Sequence, residues 1–367
     1  MPDVTISVIK AEVGGLVGNS RVHPELLEQA SRMLKNAEGD LLIDSFVAHA
    51  GDDLELIMTH RNGIDDPEIH GLAWSVFLEC TEIAKKLHLF GAGRDILSDA
   101  FSGNVKDMGP GCAELEFEER ESEPILIFMA DKAWAGAWNY YLYKMFADPF
   151  NTPGLVMDPA MTGGFAFEVH DVVDARTITL STPSESYALL AYIGAPSRYV
   201  VSRVWRRVEG RNIAAASSSQ RPDRIGGQHV RKDDPAMIVR AQDGFPAIGE
   251  LLEPFSSPVF VAGWMRGAHH GPLMPVGLYD ANCTRFDGPP RVACLGFQLA
   301  GGRLVGPVDM FDDPGFDRVR ARCNEMADVL RMHGPFEPHR LPLAEQEHTA
   351  LHHVEEEFRD RWQPFPE

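Results

Sequence analysis

Acidic residues recur where this chain turns: Glu12, Asp52-Asp53, Asp131 and Asp233-Asp234. Adjacent aspartates chelate hard cations such as magnesium, which take oxygen ligands and usually keep waters for substrate phosphates. Aspartate also favours turns for its own backbone hydrogen bonding, so a solvated turn is the plainer reading of each pair taken alone. Lys132 follows Asp131, and Lys232 precedes Asp233-Asp234. A lysine holds phosphate as a point charge or, once deprotonated, attacks a carbonyl to form a Schiff base. Neighbouring carboxylates oppose that deprotonation, and a cation bound to them cancels the obstacle. An exposed Lys-Asp pair is the plainer reading of either position. His229, three residues before Lys232, titrates near neutrality and could serve as acid or base there. The glycine-containing stretches 101–104, 263–267 and 285–290 could offer backbone amides to phosphate, with Arg266 adding a forked contact, although turn chemistry explains each. No Walker loop, dinucleotide fingerprint or H-E-x-x-H spacing occurs.

Positioning such groups requires regular elements. Residues 4–9 predict a strand, followed by a glycine-punctuated loop at 12–19 and a helix from His23-Pro24 to about 36. Runs at 41–49 and 54–60 predict a hairpin with Gly51-Asp52-Asp53 at its tip. A long amphipathic helix follows Asp66-Pro67, with Ile69, Leu72, Val76, Cys80, Ile83 and Leu87 on one stripe and Gly91 as its stop. Further strands are predicted at 112–118, where Ala113, Leu115 and Phe117 point inward, and at 124–130, 165–173, 198–206, 212–219, 236–241 and 291–299. Helices are predicted at 184–193, 246–253 and 314–333, the last with a stripe of Phe316, Val319, Cys323, Met326 and Leu330. Strands in adjacent pairs with helices between the groups predict an α+β fold, and no linker divides the 367 residues.

The chain carries 34 Lys plus Arg against 54 Asp plus Glu, a formal charge of −20. With no basic cluster, that balance argues against a nucleic-acid partner. Hydrophobic residues at 44% suffice for a large core. Five scattered cysteines indicate neither a disulfide framework nor a zinc ribbon and fit a reducing compartment. MPDVTISVIK lacks a signal-peptide pattern, and no apolar run suits a membrane span, so a soluble cytoplasmic protein is expected.

Taken together, the segments closely resemble the archaeal and bacterial bifunctional fructose-bisphosphate aldolase/phosphatase family. The matching stretches include ISVIKA at 6–11, GDDL at 51–54, FSGNV at 101–105, MADK at 129–132, KMFADPFNTPGLV at 144–156, KDDP at 232–235, GWMRG at 263–267, TRFDGPPR at 284–291 and GPFEPHRL at 334–341. They follow family order over nearly the whole chain. The resemblance implies a four-layer α-β-β-α sandwich in one compact domain, assembled as a homo-octamer, with Mg2+ bound among carboxylates. It also implies condensation of two triose phosphates through a lysine Schiff base, then loss of one phosphate to give fructose 6-phosphate. On this resemblance Lys232 matches the Schiff-base lysine, and Asp52, Asp53, Asp131, Asp233 and Asp234 match metal-binding acids. Lys132, Gly103, Asn104, Gln242, Arg266 and Asp287 match substrate contacts.

Several positions depart from the family pattern. Glu12 stands where the family has an aspartate that is both metal ligand and phosphatase base, and Asn19 replaces a histidine. Phe90 replaces a phosphate-binding tyrosine and Arg94 a metal-binding glutamine. His229 replaces a proton-shuttling tyrosine, Asp243 a substrate-facing histidine and His348 a tyrosine. Arg94 and His348 are carried as substrate-side positions and Glu12 as a catalytic and metal position. A guanidinium cannot ligate a metal, and one extra methylene moves a carboxylate enough to matter. The expectation is therefore Schiff-base aldol chemistry with altered or lost magnesium-dependent phosphatase activity. The alternatives are a full bifunctional enzyme, or a silent paralogue kept as a binding or assembly subunit.

Overall fold

The computed structural model describes residues 3–93, 110–207, 212–218, 222–223, 228–229, 235–264, 269–285, 288–333 and 350–364. Arg94, Gly103, Asn104, Lys232, Asp233, Asp234, Arg266, Asp287 and His348 lie outside the described residues, and His229 is described by its strand position alone.

In chain order the elements begin with β1 (Asp3–Glu12), β2 (Gly15–Leu16), β3 (Arg21–Val22), α1 (Pro24–Ala37), β4 (Asp44–Ala50), β5 (Asp53–His60), α2 (Pro67–Lys86), β6 (Gly111–Glu118) and β7 (Glu123–Asp131). They continue with α3 (Trp138–Ala147), α4 (Gly154–Met157), β8 (Phe165–Asp171), β9 (Arg176–Ser181), α5 (Ser186–Ile193), β10 (Tyr199–Arg206), β11 (Asn212–Ser217), β12 (Pro222–Asp223), β13 (Gln228–His229) and β14 (Ala236–Arg240). The last are α6 (Ile248–Leu252), β15 (Val259–Gly263), β16 (His269–Pro275), β17 (Arg291–Ala300), β18 (Arg303–Asp309), α7 (Asp317–His333), α8 (Leu351–Glu357) and β19 (Gln363–Pro364). The expected α+β character holds. Among the described residues, no helix is long and apolar enough to cross a membrane.

A small antiparallel sheet runs β4-β5-β1-β6. A large sheet runs β15-β16-β17-β7-β14-β11-β10-β8-β9-β19, with β18 also paired to β17 and one parallel pair, β16 with β17. Strand periodicity then assigns the faces. Ile6 and Val8 of β1 join Ile125, Ile127, Ile238 and Leu295 of the large sheet in one buried cluster. Ile9 and Ala11, on the other face of β1, pack with Leu26, Leu34, Ile69, Val76 and Phe77 of α1 and α2. Leu126 and Phe128, on the other face of β7, pack with Trp138, Tyr141, Leu189, Tyr192, Leu351 and Val354 of α3, α5 and α8.

The helix ends refine the expectations. Asp66 caps α2 by accepting from the Glu68 and Ile69 amides, with Pro67 at the first turn. Its stop is His88, not Gly91. His88 takes φ +54°, its amide donates to the Lys85 carbonyl, and the Leu89 amide donates to the Ala84 carbonyl, the pairing of a Schellman turn. The apolar stripe is also rotated: Ala73, Phe77 and Ala84 are buried beside Ile69, Val76 and Cys80, whereas Leu87 is exposed. In α7, Val319, Cys323 and Ala327 are buried, while Met326 lies on the exposed side.

Candidate active site

Residues 12, 10 and 8 of β1 share a face, so the alternation that buries Val8 between the sheets sends Lys10 and Glu12 to the same side. Antiparallel register places Asp53 directly opposite Glu12, and Glu55 opposite Lys10. On β7, Ile125, Ile127 and Met129 face the small sheet, and the same parity carries Asp131 toward it. The two sheets thus deliver carboxylates to one end of the space between them. Asp52 arrives from the β4–β5 turn.

The cluster is nearly dry. Asp53 and Asp131 are fully buried, Asp52 is 2% exposed and Glu12 9%. The Lys132 ammonium lies 3.4 Å from Asp52 Oδ1 and 3.1 Å from Asp131 Oδ1. Lys10 Nζ donates to Asp53 Oδ2 at 2.7 Å, an ion pair with no solvent access to the lysine. Burial, then the charge of Glu12, pushes the Asp52 carboxyl well above the usual carboxylate range against the pull of Lys132, and Glu12 hydrogen-bonds it. Two buried carboxyls crowded this closely hold a proton between them unless a cation takes its place. Asp131 has two buried oxygens without a well-formed hydrogen bond, beside the Lys132 ammonium and the Cys283 thiol. An all-oxygen, buried and anionic donor set fits a hard divalent cation. Burial and the charge of Asp131 push Cys283 well above the usual thiol range, so it sits there as a neutral thiol.

Backbone details hold this end together. Gly51 has φ +58°, and a Cβ there would fall 2.4 Å from the Asp131 carboxyl carbon. The turn therefore needs glycine both for its left-handed conformation and for close approach. A Cβ on Gly15 would lie 3.0 Å from Asp52 Cβ, so the glycine loop after β1 lies over that carboxylate. Gly15 also exchanges backbone hydrogen bonds with Phe90, which is 55% exposed. Lys132 itself adopts φ +61°, and the backbone of Lys132-Ala133 packs against Gly263.

Glu12, Asp52, Asp53, Asp131 and Lys132 are thus brought together. The stretch 230–234 leads into β14, whose Ala236 pairs with Met129, two residues from Asp131. Trp264 and Gly288 touch: a Cβ on Gly288 would strike the indole nitrogen. Gln242 is placed elsewhere. It is exposed on a turn beyond Arg240, at the end of β14 that pairs with Ile125, and its carbonyl accepts from Arg120 at 2.6 Å. Sequence reasoning passed over Lys10 and Cys283. For Lys10 the signal was present, since it shares a strand face with Glu12; Cys283 sits in an irregular segment that gives no comparable cue.

Buried carboxylates from two facing sheets, with a lysine at their rim, define an α+β enzyme whose site is suited to a cation and an anionic substrate. A family profile described as Fructose-1,6-bisphosphatase matches residues 3–363, and the chain belongs to that family. It is 60% identical over 359 residues to the fructose-1,6-bisphosphate aldolase/phosphatase of Moorella thermoacetica, covering 98% of this chain and 94% of that one. Likewise named relatives from Ignicoccus hospitalis and Methanocaldococcus jannaschii are 58% and 55% identical, covering 98% and 99% of this chain and 93% of each relative.

Proposed function

We propose that the chain is a full bifunctional fructose-1,6-bisphosphate aldolase/phosphatase, in place of the narrower aldolase that its departures suggested. Relatives bearing that name at 52–60% identity over nearly the full length support this reading. The observation that carries it is the placement of Glu12. It lies opposite Asp53, buried and hydrogen-bonded to Asp52, so the longer side chain remains within the carboxylate cluster.

In this proposal Glu12, Asp52, Asp53 and Asp131, with Asp233 and Asp234, hold Mg2+, which when bound neutralises charge on the phosphoryl group. Lys132 holds a phosphate against the two aspartates it touches. With the cation in place of the proton that Glu12 and Asp52 otherwise share, the Glu12 carboxylate is placed to accept a proton from an attacking water. Lys232 condenses with a triose-phosphate ketone, losing water, and His229 accepts and returns the protons of that step. Gly103, Asn104, Arg94, Arg266, Asp287 and His348 complete the substrate contacts. Gln242, on its exposed turn, suits contact with a neighbouring copy. The remaining parts of the proposal are one domain over 1–367, four α-β-β-α layers, a homo-octamer and a cytoplasmic location. The three large buried clusters among the described residues support the layering.

Two assays on one preparation test it: phosphate release from fructose 1,6-bisphosphate with and without magnesium, and borohydride trapping with dihydroxyacetone phosphate read by intact mass. Both are expected. Trapping without phosphate release would restore the narrower aldolase, and neither would leave a silent paralogue.

A further inference from the structure

On the opposite face of the small sheet from the carboxylates, three ligand-bearing side chains converge. His70 comes from α2, and Cys112 and Glu114 come from β6. Cys112 pairs with Ile9 and Glu114 with Ser7, so both take the helix-facing side of the strand. His70 Nε2 lies 3.3 Å from Glu114 Oε1 and 3.8 Å from Cys112 Sγ, and all three ligand atoms lie within 4.8 Å of one another.

We infer that His70, Cys112 and Glu114 form a second metal site, separate from the carboxylate cluster, for zinc or another borderline-soft dication. With zinc–nitrogen and zinc–oxygen distances of about 2.0 Å and zinc–sulfur of about 2.3 Å, a tetrahedral ion sets nitrogen–oxygen edges of about 3.3 Å and nitrogen–sulfur edges of about 3.5 Å. The observed edges are close to both. A thiolate, a carboxylate and a neutral imidazole carry two negative charges, matching the dication. Loading releases the Cys112 thiol proton to solvent, and His70 presents Nε2 unprotonated with its proton on Nδ1. The thioether-free, sulfur-containing set disfavours magnesium, which takes oxygen ligands.

The surroundings are built as such a site requires. Ser7 Oγ donates to Glu114 Oε1 at 2.6 Å and lies 2.8 Å from His60 Nε2, while the Asp65 amide donates to Glu114 Oε2 at 2.7 Å. These bonds fix the carboxylate's orientation. His70 and Glu114 are each 6% exposed, whereas Cys112 is half-buried and, with Glu114, lines a small cavity shared with Asp65 and Arg203. That cavity reaches the Cys112 and Glu114 side of the cluster and gives an ion its way in.

Cobalt(II) titration of the full chain tests the inference, because thiolate coordination gives a near-ultraviolet charge-transfer band that carboxylate and imidazole ligands do not. One cobalt per chain is expected to develop the band, zinc to displace it and magnesium to leave it. Cys112→Ser is expected to abolish it, and Cys283→Ser, at the carboxylate cluster, to preserve it. Ser7→Ala, outside the ligand set, should weaken cobalt binding by about tenfold. Zinc should also slow alkylation of Cys112, the one half-buried thiol among five cysteines. Absence of the band at one equivalent, its survival in Cys112→Ser, or its loss in Cys283→Ser would each overturn the inference.

Discussion

Gly51 shows how closely single residues set the geometry of the carboxylate cluster. Its φ of +58° and the 2.4 Å that would separate an added Cβ from Asp131 leave alanine no accommodation without moving that carboxylate. Gly51→Ala is expected to cost about 1–2 kcal/mol of stability from the left-handed backbone alone. Magnesium-dependent phosphate release should fall by about a hundredfold, since a displacement near 1 Å at a reacting centre costs that much. Denaturant melts beside steady-state rates separate the two effects, and an unchanged rate would place Asp131 outside the reaction. At this scale the sequence was informative: Glu12, Asp52, Asp53, Asp131 and Lys132 were all singled out, and they meet. Lys10 was passed over because a lysine in a strand reads as an outward-facing charge. Burying it takes the matched Asp53, whose position depends on a register that composition does not reveal.

Elements were legible where periodicity was one-sided and obscure where it was not. Strand β7 was anticipated from its nearly continuous apolar run, and β1 and β5 from shorter β-rich runs bounded by glycine-containing turns. Helix α3, WNYYLYKMFA, went unanticipated because aromatic residues surround it and leave no single stripe. β16 and β18 contain Gly and Pro, which argue against a strand, yet both lie toward the end of the large sheet where such residues are tolerated. The end of α2 was misplaced for a physical reason: a histidine occupies the left-handed position that glycine usually takes. His88→Gly is therefore expected to stabilise the protein by about 1 kcal/mol, seen as a higher urea midpoint with unchanged slope. A second element-level prediction concerns the start of β7. Burial alone would raise the Glu123 carboxyl, but hydrogen bonds from Arg240 and Arg120 outweigh it and hold the pKa below the usual range. A carboxyl lowered by folding adds stability above its unfolded pKa and loses it as pH falls through the folded one. Glu123→Gln should thus cost about 3 kcal/mol at neutral pH, and the gap from wild type should close in acid below the ordinary carboxylate range. A gap independent of pH would mean that packing, not charge, dominates at this position.

At the scale of the molecule, two sheets meet so that each contributes different groups to one end of their shared space. The small sheet supplies Glu12, Asp52 and Asp53, the large sheet supplies Asp131, and the chain enters β14 of the large sheet directly after Lys232, Asp233 and Asp234. Phosphate release and aldol chemistry, on the proposed function, draw on shared acids but depend on separate residues. Glu12, on the small sheet, serves the water, and Lys232, before the large sheet's β14, serves the carbonyl. Substitutions should therefore split the activities. Lys232→Ala is expected to abolish the borohydride adduct while fructose 1,6-bisphosphate hydrolysis persists. Glu12→Gln should retain trapping while phosphate release drops by about a hundredfold or more, the usual scale for loss of a positioned acid or base. His229→Phe should slow aldol turnover without preventing substrate binding, because it removes the proton carrier and leaves the amine. Parallel trapping and phosphate assays on folded variants decide the point. If either Lys232→Ala or Glu12→Gln removed both activities at unchanged melting temperature, the division of labour between the two sheets would be wrong, and a single group would have to serve both reactions.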